Sequence, residues 1–140
     1  MRFHVPEKKK LVFEMTIPIR WGDMDAMGHI NNTLYFRYME TARIDWCQSI
    51  GIVPEAEGGQ GIVIVNAYCT FRQQMRYPGE VLVKMYTTEV GRSSFGTYVT
   101  MERADEPGAI WADGGAKMVW TDYTTEKSMP LPDWLLQKIA

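Results

Sequence analysis

The sequence predicts an α+β fold in which one long helix lies across a five-stranded, mostly antiparallel sheet. Two observations lead to it. A strand-like run precedes a single long helical pattern, and four further strand-like runs follow, joined by short links. The helical pattern also keeps one apolar face, which must be buried against the sheet. Five strands leave two open edges, so pairing of an edge with a second copy predicts a homodimer or homotetramer.

The elements follow in order. "VFEMTIPIRW" (12–21) is rich in β-branched and aromatic residues and reads as a strand, with Pro18 marking an edge or a bulge. "NNTLYFRYMETARIDWCQSIG" (31–51) reads as a helix. Its residues Tyr35, Met39, Ala42, Trp46 and Ile50 recur at spacings of four, three, four and four, which is one helical face. Asn31 or Asn32 supplies the N-cap and Gly51 the C-terminal stop. "EAEGGQG" (55–61) reads as a loop.

Four strands come next: "IVIVNAYCTF", "EVLVKMYTTEV", "FGTYVTMER" and "AIWADGGAKMVWT". In the second, Val81, Val83 and Met85 alternate with Leu82, Lys84 and Tyr86; in the third, Phe95, Thr97, Val99 and Met101 share a face. Tyr77-Pro78-Gly79-Glu80 reads as a type II turn, and Asp105-Glu106-Pro107-Gly108 as the last connection. Gly114-Gly115 marks a bulge or a close backbone approach. "LPDWLLQKI" reads as a short helix begun by Pro132.

A length of 140 residues favours a single domain spanning 1–140, long enough to bury a core without disulfides or metal. A formal net charge of -2 gives no footprint for nucleic acid or an anionic membrane surface. Cys47 and Cys69 form no CxxC pair and read as buried thiols of a reducing compartment. "MRFHVPEKKK" lacks the apolar core of a secretory signal, and no run is long enough to span a membrane. The expectation is a cytoplasmic protein.

The unusual stretch is "RWGDMDAMGHINN" (20–32), between the first strand and the helix. A helix starting near Asn31 presents unpaired N–H groups and a partial positive charge, which suit an oxyanion or a polarised carbonyl. Asp25 precedes it on a loop in which Gly28 lets the chain turn. Such an acid is either a structural partner or a base or nucleophile. Asp23 reads as structural, pairing with Arg20 or capping a turn. Asp23, Asp25 and His29 lack the further ligands a metal site needs.

"IRWGDMDAMGHINNTLYFRYMETAR" resembles the hotdog-fold acyl-CoA thioesterases of the 4-hydroxybenzoyl-CoA thioesterase branch. It is also similar to the plant acyl-carrier-protein thioesterases, which share the Asp, the His and the Asn-Asn-x-x-Tyr run. The order of elements fits the hotdog fold, in which the sheet wraps a central helix. The resemblance implies an acyl-CoA substrate, with coenzyme A as part of it, and no separate cofactor. Asp25 matches the catalytic carboxylate. Asn32 matches the position whose backbone N–H polarises the thioester carbonyl. His29 matches the plant-type histidine. The plant type has Asn where this chain has Met27, so an Asp-centred mechanism fits better than an Asp-Asn-His one. Arg92, Ser93 and Ser94 of "VGRSSFGTY" match a turn that contacts the phosphates of coenzyme A. Tyr35 and Met39 would line the acyl pocket.

The implied reaction is hydrolysis of a thioester to a carboxylic acid and free coenzyme A. A non-catalytic acyl-CoA-binding module on the same fold is the alternative. A hydratase uses a differently spaced Asp and His and fits less well.

Overall fold

The computed structural model describes residues 5–52 and 59–140. The elements are β1 (Lys10–Pro18), α1 (Asn32–Ser49), β2 (Gln60–Phe71), β3 (Glu80–Thr88), β4 (Ser94–Arg103), β5 (Ile110–Asp122), β6 (Lys127–Ser128) and α2 (Asp133–Ile139). The strand order is β1-β3-β4-β5-β2, and β6 pairs with β5. Every pairing is antiparallel. The expected five strands are therefore present, and β6 is a sixth. It is two residues long, too short to leave a periodic signal.

α1 buries the predicted stripe. Tyr35, Met39, Ala42 and Trp46 are buried, joined by Tyr38 and Cys47. Against them lie Val81, Val83, Met85, Phe95, Val99, Met101 and Met118, all buried. The alternation read in β3 is thus the real inward face. Trp46 meets Phe95 edge-on at 6.0 Å between ring centroids. Met39, expected beside the acyl group, is core instead. It faces Gly114, where an added Cβ would sit 3.1 Å from its sulfur and collide with the Tyr68 carbonyl. The Gly-Gly pair is a close approach, then, and the bulges lie elsewhere.

One bulge has consequences. β2 pairs Ile64 with Met118 and Asn66 with Lys117, leaving Val65 as an extra residue. A single insertion flips the faces of a strand. Ile62 and Ile64 lie on the α1 side of the sheet before it, and Cys69 and Phe71 after it. Phe71 thereby reaches Tyr35, at 5.1 Å between centroids.

Other expectations shift slightly. Pro18 is the last residue of edge strand β1, and the irregularity lies between Leu11 and Phe13. At Tyr77–Gly79, Gly79 takes φ 148° rather than the roughly +80° of a type II turn, so the turn is not type II. Most of the loop read at 55–61 lies outside the described residues; Gln60 and Gly61 already belong to β2.

The outer face of the sheet buries two acids. Asp113 accepts from Arg72 at 2.7 and 2.9 Å and from the Tyr98 hydroxyl at 2.5 Å. Glu102 accepts from Lys84 at 3.3 Å and from the Gly108 N–H at 2.5 Å. Burial, and then the Asp113 carboxylate, push the Tyr98 hydroxyl well above its usual range.

Candidate active site

The segment between β1 and α1 is held by backbone before any side chain matters. A 3-10 turn at Trp21–Asp23 is followed by an antiparallel bridge between Met24 and Ile30. Asp25 N–H donates to the His29 carbonyl at 2.7 Å, Ile30 N–H to the Met75 carbonyl at 2.9 Å, and Asn31 N–H to the Asp23 carbonyl at 2.9 Å. Gly28 takes φ 81° at the tip. A Cβ there would meet nothing within 4 Å, so the demand for glycine is conformational.

Asp23 is structural, as read. One of its oxygens accepts from the Arg20 backbone N–H at 3.1 Å and from the Tyr38 hydroxyl at 2.6 Å. It caps the turn through backbone rather than pairing with the Arg20 side chain. Burial and this carboxylate together push the Tyr38 hydroxyl upward.

Asp25 is different. Its Oδ1 accepts from the N–H groups of Met27 at 2.8 Å and His29 at 3.2 Å. Oδ2 has no hydrogen-bond partner among the described residues. The loop therefore fixes the carboxylate by one oxygen and leaves the other available.

The helix terminus lies beside it. Asn31 is the N-cap, and its side chain accepts from the Thr33 N–H at 3.0 Å and the Thr33 hydroxyl at 2.9 Å. Asn32 is the first residue of α1, and its N–H has no partner among the described residues. An unpaired donor at the positive end of a helix suits a developing oxyanion.

Asp25, His29, Asn32 and Tyr35 line one small cavity of about 160 Å³, with Phe71 and Gln74. The Tyr35 hydroxyl accepts weakly from the Met75 N–H at 3.4 Å. Burial pushes the Tyr35 hydroxyl above its usual value. Asp25 also borders a second, open groove of about 540 Å³, walled by Trp21, Met24, Arg76 and Tyr77.

Arg76 escaped the sequence reading. Its guanidinium lies 3.0 Å from His29 Nε2. Arginine can only donate, so Nε2 accepts and the ring proton sits on Nδ1. The available signal was "FRQQMRYPGE", four polar side chains packed between a strand and a turn.

Arg92, Ser93 and Ser94 are not brought to Asp25 within the chain. Their turn joins β3 to β4 at the opposite end of the sheet. There the Ser93 carbonyl accepts from Trp120 and the Arg92 carbonyl from Leu131, both at 2.8 Å. Among the described residues no cluster of His, Cys, Asp and Glu could hold a metal. None of the described helices is long and apolar enough to cross a membrane.

An acid and a helix terminus share a cavity, on a helix wrapped by an antiparallel sheet. Residues 19–139 match the profile of the thioesterase-like superfamily, and the chain belongs to that family. It is similar to PA2801 of Pseudomonas aeruginosa, a structure assigned provisionally as a thioesterase. The two are 35% identical, with 94% of this chain and 100% of that one covered, at a TM-score of 0.88. A provisionally assigned acyl-CoA thioesterase from Xanthomonas campestris is 27% identical over 87% of this chain and all of that one, at a TM-score of 0.74. Among curated proteins, YsmA of Bacillus subtilis strain 168, itself uncharacterized, is 26% identical over 85% of this chain and 86% of its own length. The fold is the hotdog fold, and thioester hydrolysis is the general chemistry that the family and these relatives support.

Proposed function

We propose that the protein is an acyl-CoA thioesterase in which Asp25 and the Asn32 N–H do the chemistry. The observation that carries this reading is the half-used carboxylate of Asp25 in one cavity with the unpaired N–H of Asn32. The thioester carbonyl oxygen accepts from the Asn32 N–H. Asp25 attacks the carbonyl carbon, or takes a proton from a water that does. The carbon–sulfur bond breaks, coenzyme A leaves as the thiol, and water supplies the oxygen of the acid. Oxyanion donors of this kind are typically worth ~10²–10³ in kcat, and a general base ~10²–10⁴. His29, held by Arg76, orients the carboxylate or the water.

The reading includes a homodimer formed through β2, which completes the coenzyme A site. β2 is an open edge that exposes Val63, Ile64 and Val65, the kind of strand that pairs with a copy of itself. Ser94 is level with Val119 and so with Val63, near the start of β2; Phe71, at its end, lines the Asp25 cavity. Two-fold antiparallel pairing lays the start of one β2 beside the end of the other. That moves the Arg92–Ser94 turn of one copy toward the Asp25 loop of the other, where Arg92 meets phosphate.

The test is thiol release over a panel of acyl-CoA thioesters, for the wild type and for Asp25→Asn. Turnover in the wild type that collapses in the variant supports the reading. Binding of acyl-CoA with no thiol released assigns a binding module instead. Sedimentation at micromolar concentration reads the dimer.

A further inference from the structure

Two cavities border Asp25, and they differ in kind. The one containing Asn32 is about 160 Å³, below the ~300–1,000 Å³ of ordinary ligand sites. It has room for a carbonyl and a water. The outer groove is about 540 Å³ and can hold a whole acyl group. Its lining mixes polar and apolar groups, and its two aromatic walls are exposed: Trp21 is 77% and Tyr77 47% exposed. Exposed aromatic surface beside a reactive group marks a binding surface.

This groove also holds a cation. Arg76 makes no ion pair with a carboxylate among the described residues, and His29 uses one of its five donors. Its backbone is held firmly. The Arg103 guanidinium donates to the carbonyls of Arg76 at 2.9 Å and Pro78 at 2.8 Å, while Asp105 anchors Arg103 from the far side at 3.0 Å. A guanidinium projected from a clamped segment is ready to take an anion in two-pronged fashion. The anion is not a coenzyme A phosphate. Arg76 touches His29, which shares its loop with Asp25, whereas the phosphates lie a full pantetheine arm from the thioester.

We propose that the outer groove selects acyl groups carrying a second carboxylate, held by Arg76 and flanked by Trp21 and Tyr77. The substrate class is then the half-thioester of a dicarboxylic acid. This rests on the thioesterase reading above and narrows it.

The experiment compares adipoyl-CoA with hexanoyl-CoA, equal in carbon number and different in terminal charge. The quantity read is the ratio of their kcat/KM values, in which any loss passed through His29 cancels. The wild type should favour adipoyl-CoA. Arg76→Met should lower the ratio roughly 10- to 100-fold, the scale of a lost charge-assisted hydrogen bond, and Arg76→Lys should retain part of it. A ratio below one in the wild type, or one unchanged in Arg76→Met, overturns the proposal. Calorimetric titration of Asp25→Asn protein with both thioesters keeps the subsite separate from the reaction. If no thioester is hydrolysed, tighter adipoyl-CoA binding that Arg76→Met abolishes still supports the groove, and equal binding of the two overturns it.

Discussion

Asp25 and Asp113 are both carboxylates held by the fold, one half-buried and one buried, and they are used oppositely. Asp113 sits in the outer face of the sheet with both oxygens engaged, by Arg72 on one side and Arg72 with Tyr98 on the other. Asp25 sits on a loop with one oxygen held by backbone and the other without a partner. A fully bonded acid stabilises and can do little else. An acid left half-bonded at a cavity keeps a lone pair for a reaction. The difference lies in the neighbours rather than in the residue type.

The sharpest way to break this contrast is to neutralise each acid in turn. Asp25→Asn should lower kcat by ~10²–10⁴ and leave the melting temperature near that of the wild type, read by thiol release and thermal unfolding. Arg72→Ala should do the reverse. It strands the buried Asp113 charge, for which losses of about 3–5 kcal/mol are typical. The Tyr98 hydroxyl remains, so a value near the lower end is expected, with a melting temperature lower by roughly 10 °C. Comparable activity in Asp25→Asn, or an unchanged melting temperature in Arg72→Ala, would remove the distinction.

Smaller changes sharpen it. Gly28→Ala forces a side chain into φ 81°, a cost of about 1–2 kcal/mol. The strain falls on the loop that carries Asp25, so turnover should drop more than stability. His29→Ala should reduce kcat less than Asp25→Asn; an equal loss would move His29 into the proton transfers.

The weakest effect concerns the thiols. Burial pushes Cys47 up to about 11 and Cys69 up to about 12. Cys69 is half-buried rather than buried as expected, and the Asp113 charge adds to its shift. Both pKa values are raised, so the neutral thiols favour the fold. That contribution is complete below the unfolded value near ~8.5 and fades as pH rises toward 11 and 12. A thiol-reactive probe at pH 8 should therefore label the native protein slowly and the unfolded protein quickly.

Much was legible in the linear order of residues. The α1 stripe, the alternation in β3 and the caps at Asn31 and Gly51 depend on spacing and local backbone preference, which act over a few residues. The bulge at Val65 depends on a partner strand far along the chain, and β6 is too short for any periodic pattern to announce it. The site divides the same way. The sequence by itself supplied an acid, a tight turn and a helix start within thirteen residues. Only the tertiary structure brought Phe71, Gln74 and Arg76 around Asp25, because β2 and the segment after it return to this loop from some fifty residues away. It also decided that Asp25 keeps a free oxygen while Asp113 does not, since a carboxylate's reach depends on which donors the fold delivers to it.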